Sequence, residues 1–346
     1  MSKTLQDYAT LINDTIQSNE INHYITTDNM CKNLGGIDTF KNINIPQGKV
    51  RSFQKDDVLL SNIRLYFRKV YRAKQKGGCS SDVLVFRAKH IDSATLFAIL
   101  SSQIFTDYAC SGSEGSKMPR GNKTHMMDFK IPTINFTIAK IFNNIQNKIE
   151  NNHKINELLH TLAYKIYEYY FKYKPKNAKL EQIIIENPKS SIMVKDAQKT
   201  QDKYPFFTSG DNILSYPKAI IDGRNCFLNT GGNAGIKFYV GKASYSTDTW
   251  CICANEFSDY LYLLLSSIKT HINQSFFQGT SLKHLQKNLL KKYPIYMPSA
   301  HEIKKINQII MPLLTLISIN TRTSKKLEQI RDFLLPLLLK QQVKPK

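Results

Sequence analysis

The sequence predicts an α/β (α+β) fold: two globular modules of mixed short strands and helices, separated by two long antiparallel coiled-coil helices. Three observations lead there. The chain repeats itself, since L-F-A-I-L-S-S-Q-I-F (96–105), a Gly/Ser/Lys-rich loop and K-I-P (130–132) return as Y-L-Y-L-L-L-S-S-I (260–268), F-Q-G-T-S-L-K-H-L (277–285) and Y-M-P (296–298). Each copy is followed by a long apolar stripe at spacings of three and four. Pro132 and Pro298 stand 166 residues apart, close to half of the 346-residue chain.

In order along the chain, residues 1–20 carry Leu5, Tyr8, Leu11, Ile12 and Ile16 at helical spacing. Residues 21–132 read as short strands and turns, with D-V-L-L-S-N-I (57–63) and D-V-L-V-F (82–86) as buried strands and Gly77-Gly78 as a turn between them. Residues 96–108 read as one short helix. Residues 134–171 hold neither Gly nor Pro, and Ile138, Ile141, Ile145, Leu159 and Leu162 mark their packing stripe. That helix would be about 57 Å long. Pro175 lies just beyond its end. In the second half, 204–211, 218–222 and N-T-G-G-N-A-G (229–235) read as strands and tight turns, and 259–268 as the counterpart helix. Residues 301–340 form the second long helix, packed through Ile306, Ile317, Leu327 and Leu334, with Pro312 expected to kink it or mark its start. The expected boundaries are a first module at 1–133, a spacer at 134–172, a second module at 173–299 and a spacer at 300–340. Stripes this apolar favour pairing of the long helices with each other over packing of each on its own module. A pseudo-two-fold arrangement would run them antiparallel, with the modules at opposite ends.

A hydrophobic content of 42% supports real cores. The net charge of +21 and pI of about 9.6 call for an anionic partner, nucleic acid before a membrane surface. No apolar leader opens the chain and no apolar run approaches ~20 residues, so a cytoplasmic protein with no membrane partner is expected. The six cysteines have no C-x-x-C pairing and read as reduced thiols, with no metal expected.

The motifs of self-contained catalysis are missing. There is no G-x-x-x-x-G-K-S/T, H-E-x-x-H or G-x-S-x-G, and Asn187-Pro188-Lys189-Ser190 departs from the amino-methyltransferase box at its last two positions. The repeated loops carry the binding chemistry instead. G-S-K-M-P-R-G-N-K-T (115–124) offers Lys117, Arg120, Lys123 and Thr124, and Q-G-T-S-L-K-H-L-Q-K (278–287) offers Gln278, Thr280, Lys283 and His284. Cations neutralise phosphates and Arg can fork onto guanine, while glycines let the backbone approach. Asn62 and Arg64, with Asn229, Thr230 and Asn233 in the second half, stand where polar groups reach base edges; turn formation is the ordinary alternative for such asparagines.

Several strings resemble the specificity (S) subunit of type I restriction–modification enzymes. In the first half they are Y-I-T-T-D-N-M (24–30), D-V-L-L-S-N-I-R-L-Y-F-R-K-V (57–70), G-G-C-S-S-D-V-L-V-F-R (77–87) and G-S-K-M-P-R-G-N-K. In the second they are F-F-T-S-G-D (206–211), F-L-N-T-G-G-N-A-G-I-K-F-Y-V-G-K-A-S-Y-S-T-D-T (227–249, including Lys237) and F-Q-G-T-S-L-K-H-L. I-x-N-K-I-E-N-N-H-K-I-N-E-L-L (145–159) resembles the family's spacer. The resemblance implies two target-recognition domains, each reading one half of a split, asymmetric double-stranded DNA sequence, and a coiled coil that sets the gap between half-sites. It implies no catalysis and no cofactor in this chain. Two modification subunits would transfer methyl from S-adenosylmethionine to adenine N6, and restriction subunits, where present, would add ATP- and Mg-dependent cleavage in defence against foreign DNA. The second spacer departs from the pattern at Pro312. Two other readings compete: the specificity part of a split or fused methyltransferase–nuclease, against which the missing catalytic boxes count, and a coiled-coil adaptor for proteins, against which the charge and twin basic loops count.

Overall fold

In the computed structural model, which describes residues 3–38, 43–132, 134–197, 203–210 and 213–339, the duplication in sequence is a duplication of architecture. The chain divides into two units, Met1–Asn151 with Ser324–Lys346, and Asn152–Thr323.

The first unit contains α1 (Leu5–Tyr8), β1 (Ala9–Ile12), β2 (Thr15–Gln17), β3 (Tyr24–Ile25), β4 (Lys49–Phe53), β5 (Val58–Ser61), β6 (Val70–Arg72), β7 (Gly77–Cys79) and β8 (Val83–Ala88). Helices α2 (Ser93–Leu100), α3 (Gln103–Ser111) and α4 (Lys123–Met127) follow. Its main sheet has the order β1-β8-β5-β6, antiparallel throughout, and a second sheet runs β2-β4-β7-β3. Helix α5 (Phe136–Tyr167) runs from this unit into the next and ends in a π-turn, Glu168–Lys172.

The second unit adds β9 (Ala178–Lys179), β10 (Ile185–Glu186), α6 (Val194–Ala197), β11 (Tyr204–Phe207), β12 (Leu214–Tyr216), β13 (Arg224–Asn229), β14 (Ile236–Val240), β15 (Ser244–Tyr245) and β16 (Thr249–Cys253). Then come α7 (Ser258–Ser267), α8 (Lys269–Ser275), β17 (Phe277–Gln278), β18 (His284–Leu285), α9 (Lys287–Lys291), β19 (Pro294–Ile295) and α10 (Ala300–Leu338). Its main sheet, β10-β16-β13-β14, is again antiparallel throughout and follows the same plan: an early strand, the last strand, then two middle ones. In each unit an apolar helix pair follows the sheet and fills the core. Leu96, Phe97, Ile99 and Leu100 do so in the first, and Tyr260, Leu261, Leu263, Leu264 and Leu265 in the second.

Four local expectations change. The helical spacing of residues 1–20 yields only α1, because Ala9–Ile12 pairs with Val83–Ala88 and β-branched Thr10 and Ile12 suit a strand. Gly77-Gly78 is not a turn but strand β7. A Cβ on Gly78 would lie 2.5 Å from Ile21 Cδ1 and 2.7 Å from Val50 Cγ2, so glycine marks close approach of neighbours. The helix expected over 96–108 is two, since Ser102 caps α3 by accepting from the Phe105 amide at 3.2 Å. Residues 218–222 form no strand, and only Ile221 bridges, to Ala243. Asp211, residue 133 and residue 340 at expected boundaries lie outside the described residues.

The long helices are present and antiparallel within each unit. In the first, the Asn135 amide donates to the Leu338 carbonyl (3.1 Å) and Gln146 Oε1 accepts from Arg331 Nη1 (3.0 Å). In the second, Asn156 reaches Ile317 and Thr321, while Phe171 stacks on Tyr296 at 6.1 Å. Helix α10 opens on a capping box between Ser299 and Glu302. It runs from Ala300 through Pro312, so Pro312 does not mark the helix start. Pro312 and Gln308, the carbonyl bearer that loses its donor, are both exposed, so solvent can serve that group.

The packing line also differs from the predicted one. On α5 the buried residues are Ala139, Phe142, Gln146, Ile149, Asn152, Ala163 and Tyr167. Ile141 and Leu162, expected in the seam, are 43% and 49% exposed; Ile138, Ile145 and Leu159 are half-buried. On α10, Ile306 and Ile317 are buried as expected, but beyond them the line passes through Ser324, Arg331, Leu335 and Leu338, leaving Leu327 and Leu334 half-buried. The seam mixes large apolar residues such as Phe142, Ile317 and Leu335 with small and polar ones, Ala139, Gln146, Ala163, Ser324 and Arg331, that let the helices approach and hydrogen-bond.

Two predictions follow from this packing. Phe142→Ala should cost about 3–5 kcal/mol and Ile141→Ala under about 1 kcal/mol in urea unfolding; similar costs would place the seam on the isoleucines. Burial holds His160, whose Nδ1 lies 3.2 Å from the Tyr262 hydroxyl, below the ordinary imidazole value of 6.5. The unfolded chain therefore takes up this proton first, and stability should fall as pH drops below 6.5. His160→Asn should flatten part of that fall, with half-buried His23, shifted the same way, supplying more of it.

Candidate nucleic-acid interface

In each unit the loop after the helix pair folds back onto the turn that ends the third strand of the main sheet. In the first unit Glu114 and Arg120 exchange backbone bonds (2.9 and 2.8 Å), closing a hairpin over 115–119. Arg120 also bridges Ile63, just past β5: the Arg64 amide donates to the Pro119 carbonyl (2.9 Å) and the Gly121 amide to the Asn62 carbonyl (3.2 Å). In the second unit Gln278 pairs with His284 across 279–283, and His284 bridges Gly231, just past β13. The Gly232 amide donates to the Lys283 carbonyl (2.9 Å) and the Leu285 amide to the Thr230 carbonyl (3.0 Å). The same three-segment main-chain clamp is built twice, and both hairpins open on a glycine at positive φ, Gly115 at 99° and Gly279 at 140°. A Cβ on Gly279 would lie 2.4 Å from the Leu282 carbonyl oxygen, so the turn requires glycine there.

This geometry sorts the sequence-predicted residues. Lys117 and Arg120 on the first hairpin are exposed, as are Lys123 and Thr124 in the first turn of α4. Arg120 reaches Asp82 at 3.0 Å, an exposed ion pair that a phosphate can replace at little cost. Gln278, Thr280, Lys283 and His284 are exposed on the second hairpin, and Asn233 on the facing turn. Other members hold the frame. Asn62 is buried; Arg64, at φ 51°, donates its Nη2 to the Lys117 carbonyl (3.2 Å). Asn229 is buried and its Nδ2 donates to the Asn233 carbonyl (3.1 Å), while Lys237 Nζ donates to the Thr208 carbonyl (2.8 Å) and Asn229 Oδ1 (3.3 Å). Thr230 Oγ1 donates to the Asp248 carbonyl (2.8 Å). Met118 and Leu282 also stand exposed on the two hairpins; with neither charge nor a strong hydrogen-bonding group, their side chains carry no binding signal in the sequence. Among the described residues no cluster of His, Cys, Asp or Glu is placed to hold a metal ion, and no helix is long and apolar enough to cross a membrane.

Two units of one plan in a strongly cationic chain each offer a hydrogen-bonding hairpin braced by main-chain pairing, a duplicated cationic presentation scaffold. Residues 176–329 match the family model described as "Type I restriction modification DNA specificity domain". The fold is similar to that of a type I restriction–modification system S subunit from M. genitalium, with a TM-score of 0.65 and 13% identity, covering 99% of this chain and 96% of that one. An HsdS subunit from Thermoanaerobacter tengcongensis aligns at a TM-score of 0.37 and 14% identity, covering 98% and 96%. No curated protein matches by sequence. Residues 176–329 are thus similar in sequence to type I restriction–modification DNA specificity domains, and the whole length shares its fold with the M. genitalium S subunit.

The division between framing and exposed residues is measurable without a ligand. Asn229→Ala removes the bonds that hold the 229–235 turn and should cost about 1–3 kcal/mol with faster proteolysis near Gly231-Gly232. Lys283→Ala should stay within about 0.5 kcal/mol. Equal stability of both variants would remove the framing role of Asn229.

Proposed function

We propose that each unit reads one half of a bipartite, asymmetric double-stranded target, and that the chain directs adenine-N6 methylation by two modification subunits bound to it. The observation that carries this reading is the repeated clamp: one main-chain frame presents G-S-K-M-P in one unit and G-T-S-L-K in the other. An identical frame with different side chains suits two different half-sites. Lys117, Arg120, Lys123, Thr124, Asn233, Gln278, Thr280, Lys283 and His284 are the proposed contacts, cations to phosphates and the remainder within reach of base edges. Asn62, Arg64, Asn229, Thr230 and Lys237 hold those contacts in place.

In this reading the chain supplies recognition and no catalysis. S-adenosylmethionine, and ATP with Mg where restriction subunits join, belong to the partner subunits in the cytoplasm. In the second unit, α5 exposes Ile155, Leu158 and Leu162, and α10 exposes Ile309, Leu316 and Ile319. Such apolar stripes on helices suit docking of partner helices.

The test is a methylome of a methylation-free host expressing the chain with the modification subunit encoded beside it. A single bipartite N6-methyladenine motif that vanishes without this chain is the expected result; no motif from a soluble, assembled complex would overturn the proposal. On duplex carrying the motif, Lys283→Ala and Arg120→Ala should each weaken binding and lower the slope of log K against log salt by about 0.9. Unchanged affinity for both would remove the hairpins from the interface.

A further inference from the structure

The two hairpins share more than their bases. Counting from the glycine at positive φ, the third residue on is Met118 in one and Leu282 in the other, each equally placed before the bridging Arg120 or His284. Glu114 and Gln278, like Arg120 and His284, stand 164 residues apart, so Met118 and Leu282 are equivalent positions of one frame. Both side chains are turned to solvent, 52% and 56% exposed, although each unit has an apolar core available. Exposed polar or cationic residues flank both: Ser116, Lys117 and Arg120 near Met118, whose next neighbour is half-buried Pro119, and Thr280, Ser281 and Lys283 around Leu282. The Gly279 turn closes on the carbonyl of Leu282 itself, so the backbone that aims this side chain outward is fixed.

An unbranched or γ-branched apolar group held outward amid cations has no partner in its own unit. Its recurrence at one position of both frames, amid the cations that attract a polyanion, places it to meet an apolar surface on that polyanion. On the major-groove edge of duplex DNA that surface is the C5-methyl group of thymine. We propose that Met118 and Leu282 are specificity-determining residues, each contacting a thymine methyl in the half-site read by its own unit. This rests on the reading of the chain as a duplex-reading specificity subunit, and it adds apolar readout to the hydrogen-bonding contacts named above. Insertion of the side chains between base steps is the competing geometry, and thymine-methyl dependence separates the two.

The experiment uses the assembled complex of chain and modification subunits and the motif from its methylome. Every thymine of the motif is replaced in turn by deoxyuridine, which removes only the methyl group. The wild-type complex should lose about fourfold in affinity at one thymine in each half-site, the effect of one lost methyl contact. Met118→Ala should abolish the loss in one half-site only and Leu282→Ala in the other only, with unfolding transitions unchanged because both residues are exposed. A wild-type complex that binds its motif but is indifferent to every deoxyuridine overturns the methyl contact while leaving the subunit reading intact. Affinity lost on Met118→Ala without any methyl dependence assigns the residue to a wedge and likewise overturns the proposal. Absence of any methylated motif overturns both readings together.

Discussion

The presented surface of each unit hangs from one run of main-chain pairing. The third strand of the main sheet, β5 or β13, continues past its last ladder position into a turn, and that turn pairs with the base of a hairpin. Amide-to-carbonyl bonds make no demand on side chains, so Ile63 and Gly231 occupy the same bridge, as do Arg120 and His284. The hairpin residues are thereby free to differ between units while their placement stays fixed. Without these bonds each loop would have to be ordered by its own side chains, the same groups needed for recognition.

A second constraint lies in the helix seam. Arg331 is buried, and its guanidinium bonds Gln146 Oε1, the Asn33 carbonyl and Asp332 Oδ1. Gln146 in turn donates to the Leu34 carbonyl. Polar groups at buried seam positions tolerate only the register that satisfies them, because any slip leaves a charge buried without partners. Arg224 acts comparably in the second unit, joining Asp259 of α7 to Thr315 and the Met311 carbonyl of α10. The stability of these contacts lies in completeness: removing either partner would strand the other out of water.

Much of this was legible in the sequence, for identifiable reasons. Residues 134–171 lack Gly and Pro and became α5; repetition announced two units; the recurrent Gly-containing basic loops became the twin hairpins. The seam was misplaced by about one residue because hydrophobic periodicity gives weight to Ile141 and Leu162, whereas close helix approach gives weight to Ala139, Ala163 and Gln146. Residues 9–12 were misread because helical spacing of apolar residues is ambiguous over so short a stretch, and only the partner strand at 83–88 decides it. Asn229 and Lys237 were chemically suited to contact DNA, but no pattern in sequence reveals that their bonds are already used within the unit.

The discontinuity of the first unit has a consequence during synthesis. Its seam requires Arg331, Leu335 and Leu338, which follow the entire second unit in the chain. At roughly 5–20 residues per second, residues 1–151 wait on the order of ten seconds or more for the segment that completes their core. The second unit, being continuous, has all its residues before that segment emerges. The order of translation and the order of completion are thus reversed, and Phe142, Ala139, Gln146 Oε1 and the Asn33 carbonyl are the groups left open on the ribosome in the interval.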